Sequence, residues 1–170
     1  MGRIVTLEEA SAVVEASRAR QRWVFTNGHF DLLHVGHLRY LRAARALGDQ
    51  LVVGVNDDAS TRRLKGPQRP IVPAAERAEL LAALVAVDWV ILFDADTAQD
   101  LVATLRPDVY VKGGDYATVP GGTGKSLPEA EVVRTYSGAV EIVPLLPARS
   151  SSALVERIIA RYCRQDNDCP

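Results

Sequence analysis

Two histidines three residues apart, His34 and His37, flank Val35-Gly36 directly after the run Asn27-Gly28-His29-Phe30-Asp31-Leu32-Leu33. Helical periodicity follows the pair, so both imidazoles fall at a helix start. Backbone N–H groups lack partners there and the dipole is positive, a setting that holds phosphate. Two imidazoles in that place can donate hydrogen bonds to phosphate oxygens while negative charge builds up, and Gly36 permits close backbone approach. The chemistry such a pair can serve is the holding of phosphate. On spacing alone the pair also fits two structural histidines, or half of a zinc site, although no third ligand lies near. Lysine is scarce, with Lys65, Lys112 and Lys125 against 17 arginines, and each lysine is read as lying in a loop. Ser150, Ser151 and Ser152 open the last predicted helix, where hydroxyls and N–H groups cap the helix or hold phosphate.

These residues need a scaffold, and the apolar pattern supplies one. Short apolar runs predict strands over 23–26, 51–55, 89–93, 109–111 and 140–143. Amphipathic stretches predict helices over 7–20, 36–47, 73–86, 97–105, 128–136 and 150–164, with Gly48 as one stop signal. The alternation implies an α/β fold: a Rossmann-like five-stranded parallel sheet with helices on both faces. Ligands in such folds bind beyond the carboxyl ends of strands, which directs attention to 27–36, 56–72, 94–96, 112–127 and 144–150. The 170 residues read as one domain, with an N-terminal helix within 1–22 and a polar tail at 165–170. A net charge of −1 argues against a nucleic-acid partner, and 48% hydrophobic residues argue against disorder. No apolar run nears the roughly 20 residues of a membrane span, and no signal h-region is visible, so the expected location is cytoplasmic and away from membranes. Cys163 and Cys169 fit neither a zinc quartet nor a disulfide framework.

Gly28, Phe30, Asp31, His34, Gly36 and His37 together resemble the G-x-F-D-x-x-H-x-G-H signature of the nucleotidyltransferase superfamily. Downstream, Gly54 to Asp58, Arg63 to Pro70, Glu76-Arg77, Ala86 to Val90 and Val111 to Tyr116 are similar to the bacterial heptose 1-phosphate adenylyltransferases. In many bacteria that activity forms the second half of a bifunctional kinase/adenylyltransferase. The similarity runs from Trp23 to Arg161 and contains no sugar-kinase half, so it implies the stand-alone form. The resemblance further implies an enzyme that uses ATP with Mg²⁺. A sugar 1-phosphate attacks the α-phosphorus and pyrophosphate leaves, without a covalent enzyme intermediate.

By the same resemblance His34 and His37 contact the triphosphate, and Lys65 is the catalytic phosphate-binding lysine. Asn27, Gly28, Phe30, Gly36, Arg77, Lys112, Ser150, Ser151 and Ser152 bind nucleotide and phosphate. Asp31, Asn56, Arg69, Gly113, Asp115 and Tyr116 fall to the acceptor, with Asp31 fitting a loop brace equally well. No residue set is read as holding a metal alone. Dimers are common in the family, and a homodimer is carried over by analogy.

Two other readings stay open on sequence. One is a cytidylyltransferase for glycerol 3-phosphate or a similar alcohol phosphate. The other is a non-catalytic nucleotide-binding module, which the intact His34, His37, Lys65 and Ser151 set argues against. The stretch Gly121-Gly122-Thr123-Gly124-Lys125-Ser126 looks like the end of a P-loop, but Val119 stands where that pattern needs glycine. It is read as a flexible lid.

Overall fold

The computed structural model describes residues 1–114, 116, 124–144 and 150–162. Asp115, residues 117–123 of the expected lid, residues 145–149 and both cysteines lie outside them. In chain order the elements are β1 (Arg3–Ile4), α1 (Leu7–Ser17), β2 (Trp23–Gly28), α2 (Val35–Arg45), β3 (Gln50–Asn56), α3 (Asp58–Lys65) and α4 (Ala74–Ala82). They continue with β4 (Trp89–Phe93), α5 (Gln99–Leu105), β5 (Val109–Gly113), α6 (Pro128–Thr135), β6 (Ala139–Val143) and α7 (Ser151–Tyr162).

All strand pairs are parallel, in the order β1-β4-β3-β2-β5-β6. The sheet therefore has six strands where five were expected. The extra one, β1, has two exposed residues and exists through its pairing with Trp89 and Val90. The chain winds outward from β2 through β3 to β4, then returns to place β5 on the other side of β2. This reversal is a topological switch point, and it opens a crevice at the carboxyl ends of β2 and β5.

Alternation along the strands divides the core. Trp23 and Phe25 of β2, Val52 of β3, Ile91 of β4 and Tyr110 of β5 pack with α1, α5 and α6 through Ala10, Val14, Leu101, Leu105 and Val133. Val24, Leu51, Val53, Val90, Val109 and Val111 face the other way, onto Leu41 and Ala44 of α2 and Ala78 and Leu81 of α4. Burial on both faces makes the central strands read as continuous apolar runs.

Helix α3 corrects one expectation. Lys65 is the last residue of a helix rather than part of a loop. Asp57 caps its start by accepting the N–H of Ser60 at 2.8 Å, and Gly66 ends it at φ 97°, a conformation that favours glycine. Lys112 likewise lies within β5.

Candidate active site

A cavity of about 690 Å³ opens over the carboxyl ends of β2, β3 and β5. Its walls include Asn27, Gly28, Phe30, Asp31, His34, Gly36, His37, Asn56, Lys65 and Arg69. Lys112, Gly113, Tyr116, Ser150, Ser151 and Ser152 complete the expected set at the wall. Of the residues expected from sequence, Arg77 is not among those lining the cavity and Asp115 lies outside the described residues.

The histidine pair is built by the start of α2. His34 is the N-cap, and its Nδ1 accepts the N–H of Gly36 at 3.0 Å. His37 Nδ1 accepts the N–H of His34 at 3.4 Å, closing a reciprocal capping box. With both Nδ1 atoms accepting, each neutral ring carries its hydrogen on Nε2. The rings stack with centroids 3.9 Å apart and 24° between planes, and Phe30 meets His37 edge-on at 5.5 Å. Burial, reinforced by His34, pushes His37 down to about 4. The ring is therefore a neutral donor at pH 7.

Asp31 is 6% exposed, and its carboxylate is fully occupied. Its Oδ1 accepts the N–H groups of Val72 at 3.0 Å and Ile71 at 3.1 Å, and its Oδ2 takes Arg69 Nη1 at 2.7 Å. Burial alone raises its pKa, but these donors outweigh it and hold the carboxyl below its usual range. Asp31 lines the cavity wall and braces its loop, one of the two roles expected for it from sequence. It steadies a loop whose Phe30 and Leu32 sit at φ 50° and 55°, a region that disfavours side-chain-bearing residues. Ser151 donates its hydroxyl hydrogen to the carbonyl of Asp31, which ties the start of α7 to this loop. Ser150 Oγ accepts the N–H of Ala153 at 3.1 Å and so caps α7.

Arg77, expected at the phosphates, is not among the residues lining the cavity. It is 1% exposed, and its guanidinium is bound by protein acceptors. Nε donates to Val72 O at 2.8 Å, Nη1 to Asn56 O at 2.8 Å and to His29 O, and Nη2 to Asp58 Oδ1 at 2.8 Å. It knits β2, β3, α3 and α4 together beneath the site.

Lys112 reaches back from β5. Its Nζ donates to Asn27 Oδ1 at 2.8 Å and Asn27 O at 3.2 Å, and Tyr110 donates to the same Oδ1 at 2.7 Å. These donors fix the Asn27 amide so that its nitrogen is left for the cavity. Burial pushes Lys112 down to about 8, with Glu129 drawing it back up and Lys65 adding to the fall. Its ammonium lies 5.7 Å from the centre of the Tyr116 ring. Lys65, at the end of α3, has no ion pair among the described residues.

Sequence reading missed several wall residues: His29, Tyr40, Thr61, Asp96, Thr97, Ser126 and Glu129. His29 occupies the variable place of the motif itself. Its Nδ1 is 3.1 Å from Thr61 Oγ1, and burial among Lys65, Arg77 and Lys112 pushes it down to about 4. Asp96 and Thr97 follow β4, so the rule that ligands bind after strands pointed to their loop. Glu129, 4% exposed, accepts the N–H of Ala98 at 2.8 Å.

A sheet reversal, neutral paired imidazoles, two helix starts and two lysines around one cavity define a nucleotide-binding α/β domain built for chemistry at phosphate. The chain belongs to the cytidylyltransferase-like family of nucleotidyltransferase domains, whose family model matches residues 25–157. It is 51% identical over 156 residues to the bifunctional protein HldE of Syntrophotalea carbinolica, covering 91% of this chain and 31% of that protein. Against the HldE of Geobacter sulfurreducens the figures are 48% over 161 residues, with 94% and 32% covered. The chain thus spans about a third of the length of these curated relatives. The solved lipopolysaccharide core biosynthesis protein of Thermoplasma volcanium superposes with a TM-score of 0.57 at 32% identity, covering 74% of this chain and 97% of that one. Pantoate-beta-alanine ligase of Francisella tularensis, at 12% identity and a TM-score of 0.56, shares the fold over 98% of this chain and 80% of its own.

Proposed function

We propose that the chain transfers AMP from ATP to a heptose 1-phosphate, giving an ADP-heptose and pyrophosphate. The observation that carries this reading is the coincidence of the paired-imidazole site with about half identity to HldE proteins over nine-tenths of the chain. A relative named for lipopolysaccharide core biosynthesis fits a sugar acceptor. In the reaction an oxygen of the sugar phosphate bonds to the α-phosphorus, the bond to the β-phosphate bridge breaks, and pyrophosphate takes that electron pair. No residue needs to form a covalent link. Catalysis is positioning plus charge stabilisation. His34 and His37 present Nε2–H donors to the phosphate oxygens as charge shifts toward the leaving group. The serines at the start of α7 and Lys112 hold the triphosphate.

Mg²⁺ fits this site as an ion carried on the triphosphate. Among the described residues no group of three or more His, Cys, Asp or Glu side chains is placed to hold a metal. Mg²⁺ commonly binds through substrate phosphates with few protein ligands. When bound it neutralises phosphate charge, and activity is expected to vanish in excess EDTA and return with added Mg²⁺.

The test is a matrix of ATP, CTP and GTP against heptose 1-phosphate, mannose 1-phosphate and glycerol 3-phosphate, followed by pyrophosphate release. ATP with heptose 1-phosphate is expected to give the highest kcat/KM. The family description favours one rival, CTP with an alcohol phosphate. If that pair wins, the acceptor assignment is wrong and the histidine roles stand.

A further inference from the structure

Burying a carboxylate is costly unless its surroundings use the charge, and one buried carboxylate stands at the cavity wall with no part in the histidine motif. Glu129, in the first turn of α6, is 4% exposed. Its Oε1 accepts the N–H of Ala98 at 2.8 Å. Ala98 begins α5, which has no side-chain cap of its own. The bond therefore clamps the β4–α5 loop, with Asp96 and Thr97 of the cavity wall, onto α6. The other oxygen makes no hydrogen bond among the described residues. We propose that Glu129 is a positioning residue for the phosphate end of the site, holding the β4–α5 loop to α6 and supplying the countercharge that keeps Lys112 a phosphate-binding ammonium. This rests on the nucleotidyl-transfer reading above.

The field of that carboxylate falls on the two donors that fix Asn27. Tyr110 and Lys112 converge on Asn27 Oδ1 at 2.7 Å and 2.8 Å, and both side chains come from β5. Burial, and then Glu129, push the Tyr110 hydroxyl far above its ordinary range. Burial pushes Lys112 down to about 8, and Glu129 draws it back up. Glu129 thus favours the proton at both donors. The other groups that face Lys112 give no such support. Lys65, at the end of α3, opposes its charge. His29, after β2, is pushed down to about 4 and is neutral at pH 7. Tyr116 presents only its ring, 5.7 Å from the ammonium. Among the described residues Glu129 is therefore the one negative charge that works in favour of Lys112. The two form no direct ion pair. The carboxylate acts across the buried wall, where low polarity lets a charge reach further than in water.

The chain has three lysines, Lys65, Lys112 and Lys125, so their side-chain NMR signals can be followed singly through a pH titration, with Lys112→Arg identifying the signal of Lys112. Glu129→Gln keeps the size and the oxygen that Ala98 needs and removes the charge; circular dichroism checks its fold. In the substrate-free protein it should lower the Lys112 midpoint from about 8 by about one pH unit. The ratio kcat/KM for ATP reports ionisations of the free enzyme. For Glu129→Gln it should lie about fivefold below the unaltered chain at pH 8 and about level with it at pH 6. Glu129→Asp restores the charge and should recover most of both. In a Lys112→Arg background the guanidinium keeps its charge, so Glu129→Gln should bring no pH-dependent loss. The titration needs no substrate and so separates the two readings. A midpoint that falls in a protein releasing no pyrophosphate from any substrate pair upholds the countercharge and overturns the reaction. An unmoved midpoint in folded Glu129→Gln overturns the proposal, and so does a loss of activity equal at pH 6 and pH 8, the mark of a loop brace alone. An unaltered chain whose Lys112 titrates near 10.5 would make a countercharge needless and overturn it without any variant.

Discussion

Replacing Lys112 by methionine should make the unliganded protein more stable while nearly abolishing its activity. The ammonium sits at the end of β5 with its pKa lowered from 10.5 to about 8, chiefly because burial disfavours the charge. That fall corresponds to about 3 kcal/mol against the charged form at pH 7, and discounting for the residue's partial exposure leaves about 1–3 kcal/mol. Methionine has similar length and no charge to desolvate. Asn27 Oδ1 keeps the hydroxyl of Tyr110 as a donor at 2.7 Å, so the substitution strands no acceptor there. A gain of about 1–2 kcal/mol raises Tm by about 2–8 °C at this chain length. The pH dependence gives a sharper check. Between about 8 and 10.5 the unfolded chain holds a proton that the folded chain has released. Unfolding then takes up protons, so stability of the unaltered protein rises with pH across that window. The stability gap to Lys112→Met should therefore be widest below pH 8 and close by pH 10.5. Over the same range kcat/KM for ATP should fall as Lys112 loses its charge. The variant should lose about 10²-fold or more in kcat/KM at pH 7. Thermal melts and pyrophosphate release at stepped pH measure all of this. A variant that melts lower at pH 7, or a gap that persists at pH 10.5, would refute the account of Lys112 as a charge held at a cost to the fold.

Three further outcomes follow from the same geometry. His34→Ala and His37→Ala should each lower kcat by about 10²–10³ with the fold kept, because each removes a fixed Nε2–H donor; near-normal turnover in either folded variant would take that ring out of the mechanism. His29 and His37, both lowered to about 4 by burial, bind fewer protons folded than unfolded, so stability should be complete above about 6.5 and decline as pH falls toward 4. Denaturant midpoints taken from pH 7 to pH 4 should drop less in a His29→Gln variant than in the unaltered chain. Arg77→Met should cost about 3–5 kcal/mol, since it takes this donor from the carbonyls of His29 and Val72 and leaves Asn56 O only the hydroxyl of Thr61 at 3.5 Å; an unchanged denaturation midpoint would refute this structural role.

Local spacing makes the histidine pair legible in the sequence. A capping box needs only residues three apart, and here the imidazoles supply both side-chain acceptors. The long strands are legible for a similar reason, as runs buried on both faces. What escapes depends on partners far along the chain. Two-residue β1 has no pattern of its own and is defined by Trp89 and Val90. Helix α3 carries no apolar stripe, being Asp-Ala-Ser-Thr-Arg-Arg-Leu-Lys, so periodicity gives no sign of it although Asp57 and Gly66 mark its ends. Sequence alone therefore puts Lys65 in a loop.

The charged candidates show the limit most clearly, because type and position in a motif do not reveal which charges are already spent. Asp31, Arg69 and Arg77 all stand in segments that match a nucleotidyltransferase, and all carry chemistry that suits a phosphate or an acceptor. Folding pairs Asp31 with Arg69 at 2.7 Å and buries Arg77 against Asp58 and backbone carbonyls. Asp31 thereby carries three protein donors at the cavity wall, and Arg77 is held by protein acceptors outside it. The positive charge left on the β3–β4 side without a carboxylate partner among the described residues is Lys65. Asp96, at the cavity wall, is likewise fixed by Arg63 through an ion pair spanning 33 positions of sequence, a partnership that no local pattern announces.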